Sequence, residues 1–225
     1  MLQSGIKFDV DQFVANCRAG LSENAPQKAV REVVARAISD PASVLRGLGE
    51  PKRAEVQKVY CSSELTILNV IWAPRMVIMP HNHAMWAIIG VYIGREDNIF
   101  WRRIAEEPGG RIEAAGAGSI GEKQAMPLGR DIIHSVTNPT SRLTGAIHVY
   151  GGDFFGAGRS EWTRRRFPSS TTTSRKPCVC SRKRTLCLPQ ADALAAACAA
   201  ASADPAAASG KARAVLSLHR SGYAS

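Results

Sequence analysis

Long apolar runs are missing from this chain of 225 residues: no stretch approaches the roughly twenty needed to cross a bilayer as a helix. The opening Met-Leu-Gln-Ser-Gly-Ile-Lys-Phe-Asp-Val lacks the basic start and apolar core of a secretory signal, so a cytoplasmic location is expected. In that compartment the six cysteines are expected to be mostly reduced. Acidic residues are short as well, 19 against 29 Lys and Arg, for a formal net charge of +10. Such a surplus suggests a nucleic-acid partner, but its placement argues against one. Residues 163–225 hold eleven Lys/Arg and two Asp/Glu, which leaves residues 1–162 nearly balanced at eighteen and seventeen. The arginine clusters carry no interleaved aromatics and read as a solvated tail, so nucleic acid is not an expected partner.

What the chain does contain falls into three segments. In residues 1–58, Phe8, Val10, Phe13, Val14 and Cys17 recur at helical spacing, and Val30, Val33, Val34 and Ala37 repeat the pattern behind Pro26. Asp40-Pro41 is expected to end the second helix, and Gly47 to Pro51 to mark a break. Residues 59–162 read as short strands rich in β-branched and aromatic residues: 65–72, 76–79, 86–93, 99–104, 132–136 and 143–150. Gly109-Gly110, Gly116, Gly118, Gly121, Pro127-Leu128-Gly129 and Asn138-Pro139 are expected as turns. Many short strands with frequent turns predict a mainly β sandwich or barrel. Residues 163–225 are basic, Ser/Thr-rich and Ala-rich, with too few large apolar side chains to offset the entropy of ordering, and a disordered tail is expected. The abrupt change after Ser160-Glu161-Trp162 reads as a shift of reading frame. Cys178-Val179-Cys180, with Cys187 and Cys198, does not fit the ligand spacing of a structural zinc site.

Histidine is scarce, five in all, and three of the five form a pattern. His81 and His83 flank Asn82, and two residues one apart on an extended segment face the same way. His134, in Asp131-Ile132-Ile133-His134-Ser135-Val136-Thr137-Asn138, can add a third imidazole from a distant strand. Three converging histidines make a candidate metal site.

Two stretches resemble the two cupin motifs. The first is His81-Asn82-His83 with Gly94 beyond it; the second is Gly121, Pro127-Leu128-Gly129, His134 and Asn138. Arg75 replaces the usual first glycine, and the second motif has two extra residues before His134. Where most cupins carry a glutamate ligand after the second histidine, this chain has Ala87 and Ile88. A neutral three-histidine face is similar to that of the cysteine dioxygenase-like thiol dioxygenases. Gly145-Ala146-Ile147-His148-Val149-Tyr150 resembles that family's strand with a Ser-x-His-x-Tyr relay, with Ala146 at the serine position, and Trp72 adds to the likeness. At Ile88 some relatives carry a cysteine crosslinked to the tyrosine, so no crosslink is expected here.

The resemblance implies a cupin double-stranded β-helix, or jelly-roll barrel, over residues 59–162, with the helices of 1–58 packed on it. It also implies one Fe(II) per chain held by His81, His83 and His134, with His148 and Tyr150 as catalytic groups. The implied substrates are dioxygen and a small thiol of the cysteine or 3-mercaptopropionate type, oxidised to its sulfinate by a monomer or homodimer with no membrane partner. One of Arg75, Arg95, Arg102, Arg103 or Arg142 is expected to clamp a substrate carboxylate. Arg95-Glu96-Asp97 and Arg102-Arg103 otherwise read as turn and surface charges, and Trp72, Trp86 and Trp101 as core aromatics. The alternative is a non-enzymatic cupin that binds metal or a small ligand as a sensor, or a degenerate paralogue.

Overall fold

The structure, a computed structural model, describes residues 8–105 and 110–162. Three helices come first. Asp9 caps α1 (Val10–Gly20), its side chain accepting from Gln12 N at 2.9 Å. Pro26 opens α2 (Pro26–Ile38) at a position where its missing N–H costs nothing. Asp40-Pro41 ends α2 and also starts a third helix, α3 (Pro41–Leu48), for which Asp40 accepts from Ser43 N at 3.1 Å. Gly47, expected as part of a break, lies inside α3. A Cβ there would run into the backbone and ring of Phe8, so the glycine serves close packing. Gly49, with φ of 94°, ends the helix.

Nine strands follow. They are β1 (Glu55–Cys61), β2 (Thr66–Trp72), β3 (Val77–Asn82), β4 (Ala87–Ile93) and β5 (Arg95–Arg103), then β6 (Ile112–Gly121), β7 (Gln124–Leu128), β8 (Ile133–Thr137) and β9 (Thr144–Tyr150). All pair antiparallel, in a five-stranded sheet of order β1-β2-β9-β4-β7 and a four-stranded sheet of order β3-β8-β5-β6. This is a mainly β jelly roll. Strand β1 starts at Glu55, a few residues inside the segment read as helical. Strands β6 and β7 occupy stretches read as turns.

The central strands β2, β4 and β9 are buried on both faces, so they read as nearly continuous apolar runs. One face (Ile67, Ile71, Ile88, Tyr92, Ile147 and Val149) packs under the helices against Val30, Val34 and Ile38. Each buried aliphatic side chain in this layer contributes about 1.5–3 kcal/mol. Gly90 lets α2 approach β4: a Cβ there would overlap Val34. The opposite face (Leu68, Val70, Trp72, Ala87, Ile89, Val91, Ala146 and Tyr150) fills the barrel with Val136 and Phe154. Alternation on β9 therefore sends Ala146, His148 and Tyr150 into the barrel, and Ile147 and Val149 toward the helices.

After β9 the chain turns through Phe154 and Phe155 and lies against β3. Asn82 N donates to Ser160 O at 3.1 Å and Trp162 N to Pro80 O at 2.8 Å, while Asn82 Oδ1 accepts from Ser160 N at 2.8 Å. No helix among the described residues is long and apolar enough to cross a membrane. The expected tail, its cysteines and the frame-shift reading lie outside the described residues.

Candidate metal centre

Strands β3 and β8 pair with His81 opposite His134, and the end of β3 brings His83 to the same place. Ala84, in a left-handed conformation with φ of 57°, turns the chain directly after it. One nitrogen from each of His81, His83 and His134 lies within 4.8 Å of the others. His83 and His134 are buried and His81 partly so.

Hydrogen bonds aim the ring nitrogens. Nδ1 of His81 lies 2.8 Å from Met79 O, a backbone acceptor, so Nδ1 carries the proton and Nε2 is left bare. Nδ1 of His134 donates to Asn98 Oδ1 at 2.8 Å, with the same result, and its Nε2 faces Nε2 of His83 at 3.3 Å. With His134 Nε2 bare, His83 Nε2–H donates to it in the metal-free chain, and a shift of that proton to His83 Nδ1 leaves two facing nitrogens that fit one metal ion. Burial also holds all three imidazoles neutral. Desolvation is the leading cause in each and pushes the pKa of His81 below the usual 6.5, and those of His83 and His134 well below it. Mutual repulsion among the histidines adds to the effect. The Arg159 charge acts in the same direction on His81 and His83.

Among the described residues no carboxylate joins the cluster, although Glu161, bridged to His81 through the backbone, lines the cavity around it. Ala87 faces the barrel opposite Tyr150 on β9, while Ile88 belongs to the layer beneath the helices. A side chain at position 88 points away from Tyr150. Around the histidines lies a cavity of about 280 Å³ with an apolar wall of Val56, Leu68, Val70, Val136 and Phe154. His148 and Tyr150 line it too, and the Tyr150 hydroxyl shares a 3.0 Å hydrogen bond with Nδ1 of His148. The Tyr150 ring packs against His83, centroids 5.0 Å apart.

The five arginines expected as carboxylate clamps do not line this cavity. Arg75 donates to Pro139 O, Arg95 pairs with Asp97 at 2.7 Å, Arg102 pairs with Glu113 at 2.7 Å, Arg103 lies over Trp162, and Arg142 is exposed in a loop. The arginine that does line it is Arg159, carried by the segment annealed to β3, with its guanidinium 3.9 Å from the Phe154 ring centroid. Its sequence surroundings gave no signal of this placement.

Two further residues belong to the site. Glu96, read as a turn charge, is wholly buried on β5, where its Oε1 accepts from Trp72 Nε1 at 2.6 Å. Asn98, two residues along the same strand, is buried and orients His134. Strict alternation through Arg95-Glu96-Asp97-Asn98 was the available signal: Arg95 and Asp97 pair with each other outside, and Glu96 and Asn98 point in.

No protein-family model matches the chain. Among solved structures, it is similar to an RmlC-like cupin family protein with a double-stranded β-helix fold from Methanocaldococcus jannaschii. The two are 10% identical, with a TM-score of 0.39 over 47% of this chain and 85% of that one. An uncharacterized conserved protein with a double-stranded β-helix domain from Klebsiella pneumoniae is 12% identical, with a TM-score of 0.37 over 51% of this chain and 90% of that one. A variant of oxalate decarboxylase from Bacillus subtilis is 15% identical, with a TM-score of 0.33 over 41% of this chain and 22% of that one. The jelly roll itself stands on the strand order and register of this chain.

Proposed function

We propose that this protein is an iron(II)-dependent thiol dioxygenase that converts a small, carboxylate-bearing thiol to its sulfinate. The observation that carries the reading is a half-open cavity that joins three neutral imidazoles, with no carboxylate among the clustered ligands of the described residues, to a His–Tyr pair and a guanidinium. His81, His83 and His134 would hold the metal, with His81 and His134 presenting Nε2 atoms because their protons sit on Nδ1. Iron(II) held there would supply a centre at which a thiolate and dioxygen react, with the overall balance RS⁻ + O2 giving RSO2⁻.

The remaining work falls to the chain's own side chains. Arg159 takes the substrate carboxylate, and its stacking on Phe154 fixes the fork in one place. The apolar wall lowers the local polarity around the histidines and strengthens the polar contacts at its inner end. Tyr150, held by His148, sets a hydroxyl at the cavity wall beside His83, where it orients the reacting end of the substrate.

Metal analysis combined with oxygen uptake on cysteine, 3-mercaptopropionate, cysteamine and mercaptosuccinate tests the proposal. Stoichiometric iron with thiol-dependent uptake and a sulfinate product is expected. An iron-loaded protein that consumes no oxygen with any of the four defeats it and leaves a metal-binding module without turnover.

A further inference from the structure

Glu96 poses a problem of its own. It is 0% exposed, yet only Oε1 is hydrogen-bonded, and Oε2 has no partner among the described residues. Burying a carboxylate with so little compensation costs several kcal/mol or more. His148 poses the complementary problem. It is 4% exposed, its Nδ1 is taken by Tyr150, and its Nε2 makes no hydrogen bond. His148 Nε2 faces this carboxylate, 3.5 Å from Oε1, the oxygen that also accepts from Trp72. That gap is at the limit of a hydrogen bond, and a small turn of either side chain closes it. Trp72 fixes the carboxylate through Oε1 and packs against the His148 ring, centroids 5.9 Å apart.

We infer that Glu96 is a positioning residue of the thiol-oxidising site, its carboxylate accepting a hydrogen bond from Nε2–H of His148 and thereby setting how His148 holds Tyr150. A neutral imidazole has one N–H. With that proton on Nε2 and aimed at Glu96, Nδ1 is an acceptor and the Tyr150 hydroxyl donates to it. The phenol oxygen then has a fixed direction at the cavity wall. Without Glu96 nothing on this side selects the tautomer, because position 146, the neighbouring barrel-facing residue of β9, is alanine. Strand β5 thus orients two histidines from one face, His148 through Glu96 and His134 through Asn98.

The turnover part of this inference rests on the thiol dioxygenase reading; the tautomer part does not. Nitrogen-15 NMR of the histidine rings, on the full chain both metal-free and zinc-loaded, reads the tautomer directly. His148→Asn identifies the signal by its loss. In the unsubstituted protein His148 should show a protonated Nε2 and an acceptor Nδ1. Glu96→Gln, which keeps an acceptor oxygen, should retain that pattern, and Glu96→Ala should give a mixture of tautomers. With an active thiol, Glu96→Ala should lower kcat about ten- to a hundredfold while iron content and KM stay within about threefold, with Gln recovering part of the loss. A His148 protonated on Nδ1 in the unsubstituted protein, or a Glu96→Ala spectrum identical to it, overturns the inference. So does an Ala variant of unchanged kcat. If no thiol is oxidised, the dioxygenase reading falls and the spectrum alone decides the role of Glu96.

Discussion

Replacing Arg159 by leucine removes the one guanidinium that lines the cavity among the described residues while leaving a side chain to cover Phe154. A carboxylate held by a forked arginine gains charge-assisted hydrogen bonds of about 1.5–3 kcal/mol. At about 1.4 kcal/mol per decade, kcat/KM for 3-mercaptopropionate should fall about ten- to a hundredfold. Cysteamine has no carboxylate, so its kcat/KM should move less than about threefold. Arg159→Lys keeps the charge but not the planar fork, and should fall between the two. The assay is initial-rate oxygen uptake for both thiols, with iron content measured beside it. Iron should be retained, because the charge of Arg159 acts against protonation of His81 and His83 but coordinates nothing. An equal loss for acid and amine, or no loss for the acid, refutes the clamp.

Three other outcomes are expected. His83→Ala should abolish metal retention by elemental analysis, since it takes away the nitrogen that faces Nε2 of His134; full retention would displace the ligand assignment. The metal-free protein should lose stability as pH falls below about 6.5: the unfolded chain binds protons at His81, His83 and His134 that the folded chain resists, at up to about 1.4 kcal/mol per pH unit for each group. Urea unfolding of the protein, and of a His134→Asn variant with a shallower pH slope, checks this. Gly90→Ala should destabilise the fold by about 1–3 kcal/mol, because the added methyl overlaps Val34 and lifts α2 from the sheet; unchanged urea midpoints would contradict the packing.

The parts of the sequence that spoke clearly were those in which one physical demand dominated. Strands β2, β4 and β9 are buried on both faces, so their composition is almost entirely apolar. The helices α1 and α2 carry one buried stripe each. Strand β6 is an edge strand with mostly exposed, small side chains, and its Gly116 and Gly118 look like turn residues. Pairing with β5, not propensity, makes it a strand. Glu96 was misread because a charged residue between two other charges suggests solvent, and only the sheet's alternation reveals that it points inward. Arg159 was invisible for a different reason. Its place depends on residues 158–162 folding back to β3, a long-range contact with no local pattern.

That fold-back divides the site's labour along the chain. The three imidazoles and the His–Tyr pair sit on the barrel strands or directly beside them, whereas Arg159, the proposed carboxylate clamp, arrives on a few residues laid along a strand edge. On the proposed function, substrate choice can therefore drift through changes in that short strip while the histidine cluster stays intact. A chain cut after Phe155 should still capture metal yet treat acids and amines alike.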